Sequence, residues 1–194
     1  MHLSRIATLL LGAWLAGTLF MSFVATRSLD EVDDVLKSTA PPAEKIIQMI
    51  GYDNARMLLR LMAGEENRYY DNTWEEVEIV LGVLLTAVLF LGVRNAWLGT
   101  ISTVMLALVL FSHFRITSDL SWLGRSIAFV PWNVRSLLRD QYWKLNAIHQ
   151  AIAVVKLLLG SVIAGLLFAV RRRRPVRRRK VDAVDHADHG HVDG

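Results

Sequence analysis

Residues 151–174, AIAVVKLLLGSVIAGLLFAVRRRR, decide how the rest of the chain is read. Twenty residues pass with a single charge, Lys156, and Arg171, Arg172, Arg173 and Arg174 follow at once. A helix crossing the hydrocarbon core of a bilayer needs about 20 mostly apolar residues, with a range of about 17–25. Basic residues beside such a helix are held on the cytoplasmic side, so the four arginines set the direction of the crossing. They also form a clamp for anionic lipid headgroups, at about 1 kcal/mol per basic residue near the surface.

Three more stretches of the same kind lie upstream, at about 6–25, 77–93 and 97–114. In lipid every backbone polar group must bond internally, so each is expected to be a helix. The expected fold is therefore all-α: an integral membrane four-helix bundle formed by residues 1–170, with a cytoplasmic tail at 171–194. The first stretch has Arg5 before it, as a signal peptide would. Its apolar run exceeds the usual 7–15 residues of such a peptide, and it reads as an uncleaved anchor. Four crossings from a cytoplasmic C-terminus put both termini in the cytoplasm, with the bacterial inner membrane as the expected location.

Composition agrees. Hydrophobic residues make up 53% of the 194, and the mean hydropathy is +0.34, above an ordinary soluble domain. The net charge of +4 belongs to the tail, because the rest of the chain holds 14 basic and 14 acidic residues. The tail has no aromatic residue between its basic ones, so it reads as a lipid clamp and not as a nucleic-acid arm. Its His186, His189 and His191 suit a solvated tail better than a metal site. The absence of cysteine excludes disulfides and thiolate chemistry.

Two external segments join the crossings. Segment 26–76 carries 11 acidic and 6 basic residues, which suits an outside location. Its apolar residues recur at helical spacing, with Pro41 and Pro42 near a start and Gly64 near an end, which predicts short amphipathic helices. Met57, Leu58, Leu61 and Met62 form the face expected to receive a partner, methionine being adaptable in contact. Segment 115–150 is rich in Trp and Tyr, the residues of the membrane–water interface. Pro131 is a candidate start for a helix running into the fourth crossing, about 40 residues or about 60 Å long.

Ionisable groups inside the membrane are the first candidates for function. Glu78 and Lys156 fall at similar depth and are expected to form an intramembrane ion pair. His113 ends the third crossing and His149 precedes the fourth, so two imidazoles at one level offer ligands for a haem iron, or one for a chlorophyll magnesium. The adjacent acids Asp33/Asp34, Glu65/Glu66 and Glu75/Glu76 point about 100° apart on a helix and read as solvated faces. No nucleophile constellation, phosphate loop or dinucleotide fingerprint is present, so no catalytic residue and no metal ligand is assigned. Small residues four apart, Ala13 with Gly17 and Gly160 with Ala164, predict close contact of the first and fourth helices and leave a homo-oligomer open.

The first helix, LLLGAWLAGTLFMSFVA with His2 before it and Trp14 and Gly17 within it, resembles the opening of a family of four-pass bacterial membrane proteins related to transmembrane protein 205. The likeness is mainly confined to that helix. It implies a four-helix membrane bundle and supplies no catalytic residue. The expectation is a non-enzymatic accessory or scaffold subunit that binds a membrane partner complex. The alternative is a small haem- or chlorophyll-binding protein, or a proton or ion transporter.

Overall fold

The computed structural model describes residues 2–38, 41–93, 95–128 and 136–172. Among these there is no strand, and four helices are long and apolar enough to cross a membrane, the mark of a multi-pass membrane protein. The α-helices of the described residues are, in order, α1 (His2–Lys37), α2 (Pro41–Ile50), α3 (Tyr52–Ala87), α4 (Ala96–Phe111), α5 (Ser118–Ile127) and α6 (Leu137–Arg172); the four crossings are α1, α3, α4 with α5, and α6. A π-helical turn, Val88–Val93, extends α3, and another, Ser112–Thr117, joins α4 to α5 without a break.

The helices are longer than the apolar stretches. α1, α3 and α6 have 36 residues each, about 54 Å at 1.5 Å per residue. The hydrocarbon core is about 30 Å thick, so each helix projects well beyond it. The expected short helices between residues 26 and 76 thus reduce to one, α2; the remainder extends α1 and α3. The physical reason lies at two glycines. Gly51, with φ of +88°, takes the left-handed conformation that side chains disfavour and divides α2 from α3. Gly64, expected to end a helix, lies inside α3. A mid-helix glycine costs only about 1 kcal/mol, and α3 is held on both sides of it by contacts with α1. The helix ending in the fourth crossing starts at Leu137 in the described residues; Pro131 lies outside them.

Two ends can be named from the contacts. The base gathers the start of α1, the α3–α4 turn and the end of α6. The head gathers the end of α1, α2, the start of α3, α5 and the start of α6. α1 and α3 run antiparallel, with Leu3 beside Gly92, Trp74 over Gly17, Ser28 bonded to Asn67 and Asp33 bonded to Arg56. Gly17 is needed there, since a Cβ would meet the Trp74 ring at 1.9 Å. The expected contact of the first and fourth helices occurs at Gly160, against Leu15, whereas Gly165 faces open space.

The core of the base is apolar: Ala7, Leu11, Leu85, Leu89, Leu98, Met105, Val109, Ile163 and Leu167 are buried together. A second small core in the head packs Val32 and Leu36 of α1 on Ala55 of α3, with Ile47 of α2 beside them. Large apolar side chains such as Leu9, Phe20, Leu91, Val104, Leu158 and Phe168 point outward. That suits a lipid surround, where apolar exposure carries no penalty. Trp97 at the base and Trp122 and Trp143 at the head are exposed, as interfacial tryptophans are.

Candidate functional site

One stripe of α3 carries the site. Glu75, Glu78, Gly82 and Leu85, with Leu89 in the π turn beyond, are all buried, and their spacing alternates three and four residues. That spacing keeps a single helical face turned to the bundle axis. The stripe is apolar toward the base and acidic toward the head, so two carboxylates enter the core one turn apart.

The Glu78 carboxylate is fully buried and fully engaged. Trp14 Nε1 donates to Oε1 at 2.9 Å and Thr18 Oγ1 donates to the same oxygen at 2.8 Å. Lys156 Nζ, itself buried on α6, donates to Oε2. The group thus joins three helices. A buried charge is tolerable only when paired and hydrogen-bonded, and here both conditions are met.

Glu75 forms a second polar layer, nearer the head. Its side chain is 4% exposed. Oε1 accepts from Ser112 Oγ at 2.7 Å and Thr117 Oγ1 at 2.9 Å. His149 Nε2 of α6 lies 3.4 Å from Oε1, and His113 Nδ1 lies 3.3 Å from Oε2. The π turn explains the two hydroxyls. Residues five apart on an α-helix differ in direction by about 140°. The i→i+5 bonding of a π turn brings such residues toward one face, so Ser112 and Thr117 reach the same oxygen. π turns are frequent at functional sites.

Glu75 is the correction to the reading of adjacent acids as solvated faces: Glu76 is exposed and Glu75 is buried. The 75–78–82–85–89 spacing identifies Glu75 as the one that turns inward. Asp33 and Glu65 are likewise paired, Asp33 with Arg56 and Arg60, Glu65 with Arg68 and Arg125.

His113 and His149 do meet at one level, and both engage the same carboxylate. The carboxylate engages one ring nitrogen of each imidazole, Nδ1 of His113 and Nε2 of His149. Among the described residues no group of three or more His, Asp or Glu side chains is arranged to hold a metal ion. Met57, Leu58 and Met62 are exposed and Leu61 is half-buried; they lie on the head, away from the two polar layers. Helix α6 continues to Arg172, while the side chains of Arg171 and Arg172, and Arg173, Arg174 and the tail histidines entirely, lie outside the described residues.

A cleft of about 440 Å³ opens in the head between α3 and α5. Glu65, Arg68, Tyr69, His113, Thr117 and Arg125 are among the residues lining it. His113 and Thr117 therefore touch both the cleft and the buried Glu75. Toward the base the core closes over Leu85, Leu89 and Met105, and among the described residues no polar group of comparable burial lies there beyond Ser102, which bonds Thr86 at 2.8 Å. Among the described residues, the polar layers thus have their wide approach from the head.

No protein-family model, curated protein or solved structure matches the chain.

Proposed function

We propose that this chain is a non-enzymatic, proton-handling membrane protein that loads a proton onto the Glu75–His113–His149 cluster from the head side. The observation that carries the reading is a single buried carboxylate set between two imidazoles and two hydroxyls within an apolar bundle. An imidazole can accept a proton on one ring nitrogen and donate one from the other. A carboxylate with two such neighbours can pass a proton among three groups without leaving a bare charge in the core. The Glu78–Lys156 pair one turn deeper supplies a fixed, neutral floor to the site. Passage toward the base requires the apolar plug at Leu85 and Leu89 to rearrange, and the π turn that holds Leu89 is an irregular segment of the kind at which helices bend.

The test is proton entry into dye-loaded liposomes under an imposed potential. Wild-type protein should acidify the lumen, and Glu75→Gln, which keeps the shape and some of the hydrogen bonds, should not. Equal flux in both, or none in either, overturns the reading.

The setting proposed is a bacterial inner membrane with both termini in the cytoplasm, supported by the arginines after the fourth apolar stretch. A reporter active only outside the cytoplasm should be silent when fused at Gly194 and active when fused at Pro42; the reverse pattern inverts the orientation.

A second reading, an accessory subunit docking a membrane partner complex, is favoured by the exposed apolar residues of the head: Met49 is 78% exposed and Met62 62%. Loss of co-purifying chains on changing Met49 and Met62 to Ser, with flux unaffected, would support it. Retention of the same chains would reject it.

A further inference from the structure

We propose that the head cleft between α3 and α5 binds a small oxyanion carrying one negative charge, a short carboxylate such as acetate, with Arg68 and Arg125 as its cationic walls. Its coupling to proton loading rests on the function proposed above; the binding itself does not.

The argument begins with charge. Three of the lining residues carry full charges: Glu65, Arg68 and Arg125. Glu65 accepts from both guanidiniums, from Arg125 Nε at 2.9 Å and Nη2 at 3.0 Å and from Arg68 Nη2 at 2.8 Å. One carboxylate shared by two permanent cations leaves one positive charge in the cleft. A monoanion neutralises it; a dianion overshoots.

Hydrogen bonding points the same way. Arg68 is well covered, and its Nε is buried without a hydrogen-bond partner. A buried unmade bond at a charged donor is costly. The side chain is fixed in place: it crosses Gly124 of α5 so closely that a Cβ there would meet Nη1 at 2.4 Å. Thr117, Ser118, Ser121 and Asn72 add polar groups to the wall. Guanidinium and hydroxyl donors around one surplus positive charge are the chemistry that receives a carboxylate. The floor adds a consequence, because His113 reaches both the cleft and Glu75. An anion seated there stabilises the protonated imidazole, and so the proton load of the cluster behind it.

The test uses the full chain in phosphatidylcholine nanodiscs, with thermal stability followed as acetate replaces chloride at constant ionic strength. Wild type should show a saturable rise. Glu65→Gln removes the internal competitor and should tighten acetate about tenfold, while Arg125→Gln, at a largely exposed position, leaves the remaining pair neutral and should weaken it about tenfold. A structural salt bridge alone predicts the opposite for Glu65→Gln: lower stability and no gain in affinity. No saturable response in wild type, or one that neither variant changes, overturns the site. Repetition in discs containing phosphatidylglycerol separates two sources of such an oxyanion: competition assigns a lipid headgroup, and unchanged binding a soluble anion. Glu75→Gln should keep the acetate response, and absent proton flux in the wild type with intact acetate binding would reject the proposed function and leave this site standing.

Discussion

The base and the head of the bundle are built on the same stripe of α3 and hold together differently. At the base, Leu85 and Leu89 meet Leu11, Leu98, Met105 and Ile163 through shape and dispersion alone. About two to four turns away, Glu75 and Glu78 occupy the equivalent positions and meet named donors on α1, on α6 and in the π turn after α4. In lipid, apolar side chains gain little by leaving one apolar surround for another, so packing and interhelical hydrogen bonds drive association. The base supplies close approach. The head dictates which helices are neighbours, because Trp14, Thr18 and Lys156 satisfy one carboxylate only when α1, α3 and α6 stand in this order.

The largest effect that can break this contrast is at the buried ion pair. Lys156→Ala leaves Glu78 buried without its cation and should cost about 3–5 kcal/mol. Glu78→Ala should cost a similar amount, and the two together much less than their sum. Joint replacement by Glu78→Leu and Lys156→Met, matched in volume, should recover most of the loss. Unfolding in bicelles measures all four, and additive losses would show that the head gains nothing from pairing.

The base sharpens the contrast at intermediate size. Leu89→Ala should cost about 2–4 kcal/mol through the cavity it leaves, and Leu89→Met under about 1.5 kcal/mol because volume is kept. The same unfolding assay decides. Equal losses from Ala and Met would mean that the base, too, demands specific contacts and that the two halves differ less than their residues suggest.

The smallest effect is expected at the far end of the head. Asp33 pairs with Arg56 at 2.7 Å and Arg60 at 3.1 Å, with its side chain 30% exposed. Solvent-reached pairs are worth about 0.2–1 kcal/mol and weaken with salt. Asp33→Asn should cost far less than Lys156→Ala, and the cost should shrink as ionic strength rises. A loss approaching that of Lys156→Ala would move the ordering role from the buried layer to the periphery.

Much of this was legible in the residues and some of it was hidden. Lys156 and Glu78 stand out because a charge within an apolar run has few ways to be satisfied. His113 and His149 are visible for the same reason. Glu75 is concealed by Glu76, since two adjacent acids look like a solvated patch until the helix is known to be continuous across Gly64. Once α3 is one helix, the spacing of Glu75, Glu78, Gly82, Leu85 and Leu89 selects a single inward face. Ser112 and Thr117 are concealed more deeply. Their separation of five suits no α-helical face, and only the π turn brings both to Glu75.

The sequence by itself determined the four apolar stretches, the helical class and the two charges within those stretches, Glu78 and Lys156, because hydropathy and helical period act on each segment alone. The tertiary structure decided how far each helix runs, which acid of each pair turns inward, and that both histidines share one carboxylate. Those outcomes depend on what the neighbouring helix offers: a glycine under Trp74, a π turn opposite Glu75, and a lysine at the depth of Glu78. A burial cost belongs to one residue and can be read locally. Its compensation belongs to residues dozens of positions away, and only the packed bundle brings them together.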